Sequence, residues 1–164
     1  MADYIIRGRV HKYGNNINTD LISPAQYMEM SNEVMAAHAM EGIDPDFSKK
    51  VKPGDIIVAG ENFGSGSSRE TAPMALKYAG VGAVVADFFA RIFYRNAINI
   101  GLPVLESKAV EKINDGDELE INPLTGEIKN ITQQTTYQCS VLPDHIMELI
   151  KAGGLVKLLE KKTG

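Results

Sequence analysis

Cysteine is nearly absent from this sequence of 164 residues, in which Cys139 is the only one. A single thiol gives no disulfide framework, and it does not supply the several ligands that an iron–sulfur cluster normally takes. The three histidines, His11, His38 and His145, are scattered without the spacing of a metal site. We therefore expect this chain to bind no metal, and its cysteine usage fits a reducing cytoplasm.

Long basic runs and long apolar runs are also missing. The formal net charge is −4, and no run of basic residues exceeds a pair, which argues against nucleic acid and anionic membrane surfaces as partners. The apolar stretches are too short to cross a bilayer, and the first residues lack the layout of a signal peptide. With 44% hydrophobic residues, the chain is expected to form a single domain over residues 1–164.

The densest group of polar residues lies in a turn over residues 60–70, between an apolar run and a helical pattern. Backbone N–H groups converge where a strand passes through a glycine-rich turn into a helix, so this turn is suited to hold an anion. Gly64 and Gly66 let the backbone approach a ligand closely. Arg69 can grip a carboxylate with two parallel hydrogen bonds, and the hydroxyls of Ser67 and Ser68 can exchange a proton.

Other interpretations of this turn remain open. Ser67 and Glu70 have the spacing of a capping box, in which the serine only caps the following helix. No Gly-Lys-Ser/Thr follows, so the turn is not a P-loop, and Arg69 replaces the third glycine of a dinucleotide fingerprint. A turn with two glycines, three serines and an arginine nevertheless carries more polar groups than a cap requires.

The pattern of elements predicts an α/β fold that combines parallel and antiparallel strands with flanking helices. Apolar runs alternate with helical periodicity up to residue 105, as in a parallel sheet, and a hairpin signal follows around the turn at residues 123–126. Residues 45–53 are expected to be a linker. The predicted strands cover residues 4–13, 55–59, 82–86, 102–105, 118–122 and 127–131, and the predicted helices cover 31–40, 68–79, about 89–99 and two segments separated by Gly153 and Gly154.

Three blocks in this order resemble the small subunit of the aconitase superfamily, of the 3-isopropylmalate dehydratase type. They are residues 18–24 (NTDLISP), residues 60–70 (GENFGSGSSRE) and residues 89–103 (FARIFYRNAINIGLP). The resemblance implies a swivelling β/β/α domain that closes over an active site in a separate large subunit. That partner would hold a [4Fe–4S] cluster, and this chain would bind no cofactor. The two subunits would form a heterodimer or heterotetramer.

The resemblance also assigns roles to residues of this chain. It implies that Ser67 is the base that removes a proton beside a substrate carboxylate. Gly66, Ser68 and Arg69 match positions that hold this carboxylate, and Asp20 matches an acidic residue of the same site that orients Arg69 or a hydroxyl. An Asx-type turn or a cap in a polar loop is the structural alternative for Asp20.

The loop over residues 25–30 bears on the substrate. The resemblance implies that this loop contacts the variable group of the substrate. It also implies that relatives acting on tricarboxylates use an arginine in this loop. Here the loop has Tyr27, Met28 and Met30 with Glu29, a set that suits an alkyl group and repels a third carboxylate. The methionines are alternatively core or interface filler.

We therefore expect a small dicarboxylate substrate, with isopropylmalate of leucine biosynthesis first. 2,3-Dimethylmalate, a methylmalate and a homoaconitase-type substrate are the alternatives within the same chemistry. A carboxylate-binding module without catalysis is the alternative from another class of protein.

Overall fold

A mixed sheet of seven strands organises the part of the chain that the computed structural model describes, residues 4–67 and 70–163. The first four strands are parallel, and the last three extend the sheet antiparallel from β1, in the order β4-β3-β2-β1-β5-β6-β7. The strands are β1 (Ile6–Lys12), β2 (Ile56–Ala59), β3 (Ala83–Ala86), β4 (Val104–Glu106), β5 (Glu118–Asn122), β6 (Glu127–Asn130) and β7 (Thr135–Gln138).

The helices follow the parallel strands and close the chain. They are α1 (Thr19–Ile22), α2 (Asn32–Ala37), α3 (Phe47–Lys50), α4 (Thr71–Tyr78), α5 (Arg91–Asn99), α6 (Asp144–Ala152) and α7 (Leu155–Thr163), with 3₁₀ turns at Ala25–Tyr27 and Lys108–Lys112. The crossover helices α4 and α5 pack against each other, and α4 also contacts α1 and α2. Consecutive crossovers between neighbouring parallel strands share a hand, which places both helices on one face of the sheet.

The burial pattern along each strand fits its parallel or antiparallel pairing. Every residue of β2 and β3 is buried, as expected of strands covered on both faces. In β5 buried and half-buried residues alternate, which is typical of an antiparallel strand with one solvated face. The expected mixed parallel and antiparallel α/β fold is thus confirmed.

Some sequence expectations need correction. The expected linker over residues 45–53 contains α3, whose Phe47 is fully buried with its ring edge-on to His11 at a centroid distance of 5.2 Å. The helix expected from Ser31 is present, and the Ser31 hydroxyl accepts from the Val34 N–H at 3.3 Å, but the helix ends at Ala37. Strand β7 was not expected, because its polar residues lack an apolar alternation.

Pairing between β1 and β2 continues past the ends of both strands. Segment 13–19 runs beside segment 58–65, and backbone hydrogen bonds join the two beyond Lys12 and Ala59, where β1 and β2 end. These bonds run from Tyr13 N to Val58 O at 2.9 Å, Gly60 N to Gly14 O at 3.0 Å, Asn16 N to Glu61 O at 2.8 Å, Gly64 N to Ile17 O at 2.7 Å and Thr19 N to Ser65 O at 2.8 Å. We call these two segments the extended ladder, which carries the chain from the sheet core to α1 and to the turn at residues 64–67.

Gly64 lets the extended ladder lie directly on the core. Its φ is +86°, and a Cβ built there would lie 2.2 Å from Cγ of Phe93. The Phe93 ring stacks on Phe89 at 6.0 Å and meets Phe63 edge-on at 5.2 Å, so a fixed aromatic cluster fills the space beneath the turn. A residue larger than glycine must displace this cluster or the turn.

Asp55 ties the beginning of β2 to β1. Its buried carboxylate accepts from His11 Nε2 at 2.8 Å and from the backbone N–H groups of Lys52 at 3.0 Å and Arg9 at 3.2 Å. Burial by itself raises the pKa of Asp55, but these three hydrogen bonds outweigh that effect and lower the pKa below its ordinary value. The carboxylate is therefore held ionised inside the protein.

Replacing Gly64 with alanine is expected to lower the free energy of unfolding by about 2–5 kcal/mol, from overpacking and a left-handed backbone. Denaturant unfolding monitored by circular dichroism measures the change. Gly116→Ala is the matched control, because Gly116 also has a left-handed backbone, with φ at +87°, but a Cβ there meets no atom within 4 Å. Equal stability of the two variants would contradict the close packing on Phe93.

Replacing Asp55 with asparagine is expected to lower the free energy of unfolding at pH 7 by about 1–3 kcal/mol. Because the folded-state pKa is depressed, the wild-type advantage is complete above about pH 4, the ordinary aspartate range, and is lost as the pH falls through the folded value. The difference in unfolding free energy between the two proteins should therefore be constant from pH 7 to about pH 5 and should narrow as the pH falls from about 4 to 3. Asp46→Asn, at an exposed position, is the control, and a constant gap across this range would refute the account.

Candidate functional site

The extended ladder brings Asp20 and Ser67 to one edge of the fold. Thr19, next to Asp20, donates its N–H to the carbonyl of Ser65 at 2.8 Å, and Ser67 follows two residues later. Gly66 lies so close that a Cβ on it would be 3.3 Å from the Thr19 hydroxyl. Asp20, Gly66 and Ser67 are all exposed. Residues that are distant in sequence thus form one solvent-facing polar surface.

The structure gives the local capping roles to other residues. Asn18 caps α1, since its Oδ1 accepts from the Leu21 N–H at 3.0 Å, so Asp20 is in the first turn of α1 and not at its cap. Helix α4 begins at Thr71 with Glu70 as N-cap and no side-chain cap bond, so Ser67 is not at the N-cap position that a capping box requires. Ser68 and Arg69 lie outside the described residues.

Gly66, like Gly64, has a left-handed backbone, with φ at +99°. Two such glycines on either side of Ser65 fold the turn tightly at the end of the extended ladder, a conformation that residues with a Cβ adopt with difficulty. Ser67 therefore projects from a constrained turn, because the segment before it is held by the hydrogen bonds of Gly64 and Ser65.

The loop between α1 and α2 carries the expected substrate-contacting side chains. Met28 is 38% exposed and Met30 is 50% exposed, so neither is core filler. The Met30 N–H donates to the Tyr27 carbonyl at 3.1 Å, which closes a turn around Met28 and Glu29. Both flanking helices pack against α4, the helix that follows the Ser67 turn.

Tyr27 differs from its neighbours because it is only half exposed. Its ring stacks on His38, with centroids 3.8 Å apart and planes at 6°, and its hydroxyl donates to Glu41 Oε1 at 3.2 Å. Glu41 also pairs with Nδ1 of His38. No contact of His38 with this loop was predicted from the sequence, although the spacing of three residues between His38 and Glu41 was an available signal.

Taken alone, this surface is an incomplete binding site. Small-molecule sites usually bury most of their ligand in a concave pocket. Here Asp20, Gly66, Ser67, Met28 and Met30 all face solvent. A small molecule held against these residues would need a second surface to enclose it.

The described residues bring together no group of three histidine, cysteine or acidic side chains that is able to hold a metal ion. Cys139 is partly buried, and this burial raises the pKa of its thiol to about 11. No helix in residues 4–67 and 70–163 has the length and apolar character required to span a membrane.

Comparison with known proteins identifies relatives over nearly the whole chain. The isopropylmalate/citramalate isomerase small subunit of Methanocaldococcus jannaschii is 58% identical over 160 residues, which cover 96% of this chain and 95% of that protein. The 3-isopropylmalate dehydratase small subunit of Endomicrobium trichonymphae is 54% identical, with 95% of this chain and 97% of that protein covered.

Comparison with solved structures gives the same family. A crystal structure of 3-isopropylmalate dehydratase from M. jannaschii superposes with a TM-score of 0.92 at 48% identity, over 98% of this chain and 96% of that one. Aconitase X from Thermococcus kodakaraensis, at 16% identity and a TM-score of 0.52, shares the fold. The aconitase C-terminal domain family matches residues 2–109, and the resemblance found in the sequence is confirmed. This chain belongs to the 3-isopropylmalate dehydratase small subunits, within the aconitase C-terminal domain family.

Proposed function

We propose that this chain, paired with a large subunit, interconverts 2-isopropylmalate and 3-isopropylmalate by dehydration and rehydration. The observation that carries the proposal is the backbone hydrogen bond from Thr19 to Ser65, which sets Asp20 beside the Ser67 turn on an open surface. The printed names of the relatives supply the reaction type.

Ser67 acts as the base in this proposal. In dehydration its oxygen takes the proton from the carbon next to a carboxylate, the C–H electron pair forms the double bond, and the hydroxyl leaves from the neighbouring carbon. Rehydration reverses these steps with the hydroxyl on the other carbon. A [4Fe–4S] cluster in the large subunit would supply a Lewis-acid iron that weakens the bond to the departing hydroxyl.

A serine is a weak base in water and needs its alkoxide to be stabilised. Ser67 is exposed in this chain, so closure against the large subunit must remove the surrounding water. The α4 N-terminus and the Arg69 guanidinium provide positive charge for the alkoxide. Ser68, Arg69 and the Gly66 backbone hold the substrate carboxylate, while Asp20 orients Arg69 or a hydroxyl.

The exposed methionines favour an alkyl substituent on the substrate. Met28 and Met30 offer adaptable apolar contacts, and Glu29 repels a third carboxylate at the same place. Residues 24–31 contain no arginine, the residue best suited to bind one. These features favour isopropylmalate over citrate or homocitrate.

Citramalate is a second candidate substrate. One relative, 58% identical to this chain, is named for both isopropylmalate and citramalate. Unbranched methionine side chains are able to close around a methyl group as well as an isopropyl group. A single enzyme acting on both substrates is consistent with this loop.

The proposed assembly is a heterodimer or heterotetramer in the cytoplasm, in which residues 1–164 act as one swivelling domain. The open surface around Ser67 supports a partner that completes the site, and the sole cysteine supports a cluster held by that partner.

Replacing Ser67 with alanine is expected to lower kcat at least about 1,000-fold, since proton removal then has no base. The assay uses this chain with its large subunit and an anaerobically reconstituted cluster. The substrate panel is isopropylmalate, citramalate, 2,3-dimethylmalate, citrate and homocitrate.

Ser48→Ala, on α3, is the matched control and should retain wild-type turnover. Preference for citrate or homocitrate would overturn the inference that Met28, Glu29 and Met30 favour an alkyl substituent over a third carboxylate. An intact complex that turns over none of the five substrates would favour the carboxylate-binding module instead.

Cys139 is expected to stay outside the chemistry. Because burial raises the pKa of its thiol to about 11, alkylation by iodoacetamide at pH 8 should be slow and should accelerate as the pH rises towards 10. Cys139→Ala should leave iron content and turnover of the assembled enzyme unchanged. Loss of iron from the assembled Cys139→Ala enzyme would mean that this chain contributes a cluster ligand.

A further inference from the structure

We propose that His38 and Glu41 are positioning residues that hold the substrate-contacting loop through Tyr27, and that they set discrimination between alkyl substituents. This inference rests on the proposed function, because it assigns a role within the same site. Neither side chain is expected to touch the substrate itself.

The contacts at Tyr27 anchor the loop through a side chain. Its ring lies flat on the His38 ring at 3.8 Å, and its hydroxyl donates to Glu41 Oε1 at 3.2 Å. His38 and Glu41 also pair with each other, so each of the three side chains contacts the other two. Such a closed triangle limits both translation and rotation of the tyrosine ring.

This triangle is built on a fixed base. The turn at residues 38–42 is joined to α1 by backbone bonds from Met40 N to Ile22 O at 2.8 Å and from Gly42 N to Leu21 O at 3.2 Å. Met40 and Ile22 are completely buried. Because α1 carries Asp20, the anchor relates the loop to the acidic residue of the candidate site.

The loop beyond Tyr27 depends on this anchor. Met28 and Met30 are exposed, and Met30 donates its N–H to the Tyr27 carbonyl at 3.1 Å. The loop then ends at Ser31, whose hydroxyl caps α2. A shift of Tyr27 therefore moves both methionines, which are the side chains proposed to surround the alkyl group.

The side chains of His38 and Glu41 are each 33% exposed, so removing either one opens no cavity in the core. A purely structural role would lower stability or the amount of active complex. A positioning role would instead change how tightly substrates are held and how well they are distinguished. These two roles are separable by measurement.

The test uses the assembled enzyme with His38→Ala, Glu41→Ala, Tyr27→Phe and His38→Phe. We expect His38→Ala to raise KM for isopropylmalate about tenfold with kcat within about twofold, because binding is lost without loss of chemistry. The ratio of kcat/KM between isopropylmalate and citramalate should fall at the same time. His38→Phe keeps an aromatic face for Tyr27 and should recover most of that ratio.

Hydrogen exchange of the free chain gives an independent readout. The Met28 and Met30 amides should exchange about tenfold faster in His38→Ala than in wild type, because the turn loses its anchor. His145→Ala, an exposed histidine on α6, is the control and should change neither exchange nor discrimination.

Two results would overturn this inference. One is unchanged KM and substrate ratio in His38→Ala, and the other is a loss of kcat and thermal stability with the ratio intact. A wild-type complex inactive on every alkylmalate would instead overturn the proposed function, and the exchange rates would still decide whether His38 anchors the loop.

Discussion

The extended ladder between segments 13–19 and 58–65 is the constraint on which the rest of the site depends. Its backbone hydrogen bonds run from the end of β2 to the turn at residues 64–67, and they align Asp20 with the Ser67 turn. Gly64 allows this pairing to rest on the Phe93 ring with no intervening side chain. The aromatic cluster packs beneath the turn, and Asp20, Gly66 and Ser67 are exposed on the opposite side.

The two halves of the sheet have different relations to this site. Strands β1 and β2 lead into the segments that carry Asp20 and Ser67, in keeping with the tendency of α/β sheets to bind ligands at the carboxyl ends of their strands. The antiparallel strands β5 to β7 lie on the far side of β1 and enlarge the core, with Leu119, Ile121 and Ile128 completely buried. The family match over residues 2–109 covers the parallel half, which contains every candidate site residue.

Sequence alone predicted the elements whose stability is local. Strands β2 and β3 are continuous apolar runs, and the turn sequence at residues 123–126 predicts the hairpin between β5 and β6. Helix α3 escaped prediction because its one apolar anchor, Phe47, is buried against His11, a contact that no local pattern reveals. Strand β7 was missed because Tyr137, which packs on the core, is the only hydrophobic residue in its sequence TTYQ, and backbone pairing to β6 positions the polar residues beside it. The resemblance named Asp20 and Ser67, but it is backbone hydrogen bonds between distant segments that bring the two regions together. The contacts of Tyr27 with His38 and Glu41 were not predicted from the sequence.

The loop over residues 25–30 is a short surface segment in which Tyr27 contacts His38 and Glu41, and this has a consequence for the evolution of the enzyme. On the proposed function, the groups that select the alkyl substituent belong to the small chain, while the iron chemistry belongs to its partner. A change of substrate then requires only a few substitutions near Met28, or pairing of the same large subunit with another small chain. The substrate range of the enzyme would then change when the small subunit is exchanged, and the iron–sulfur cluster site of the large subunit would stay the same.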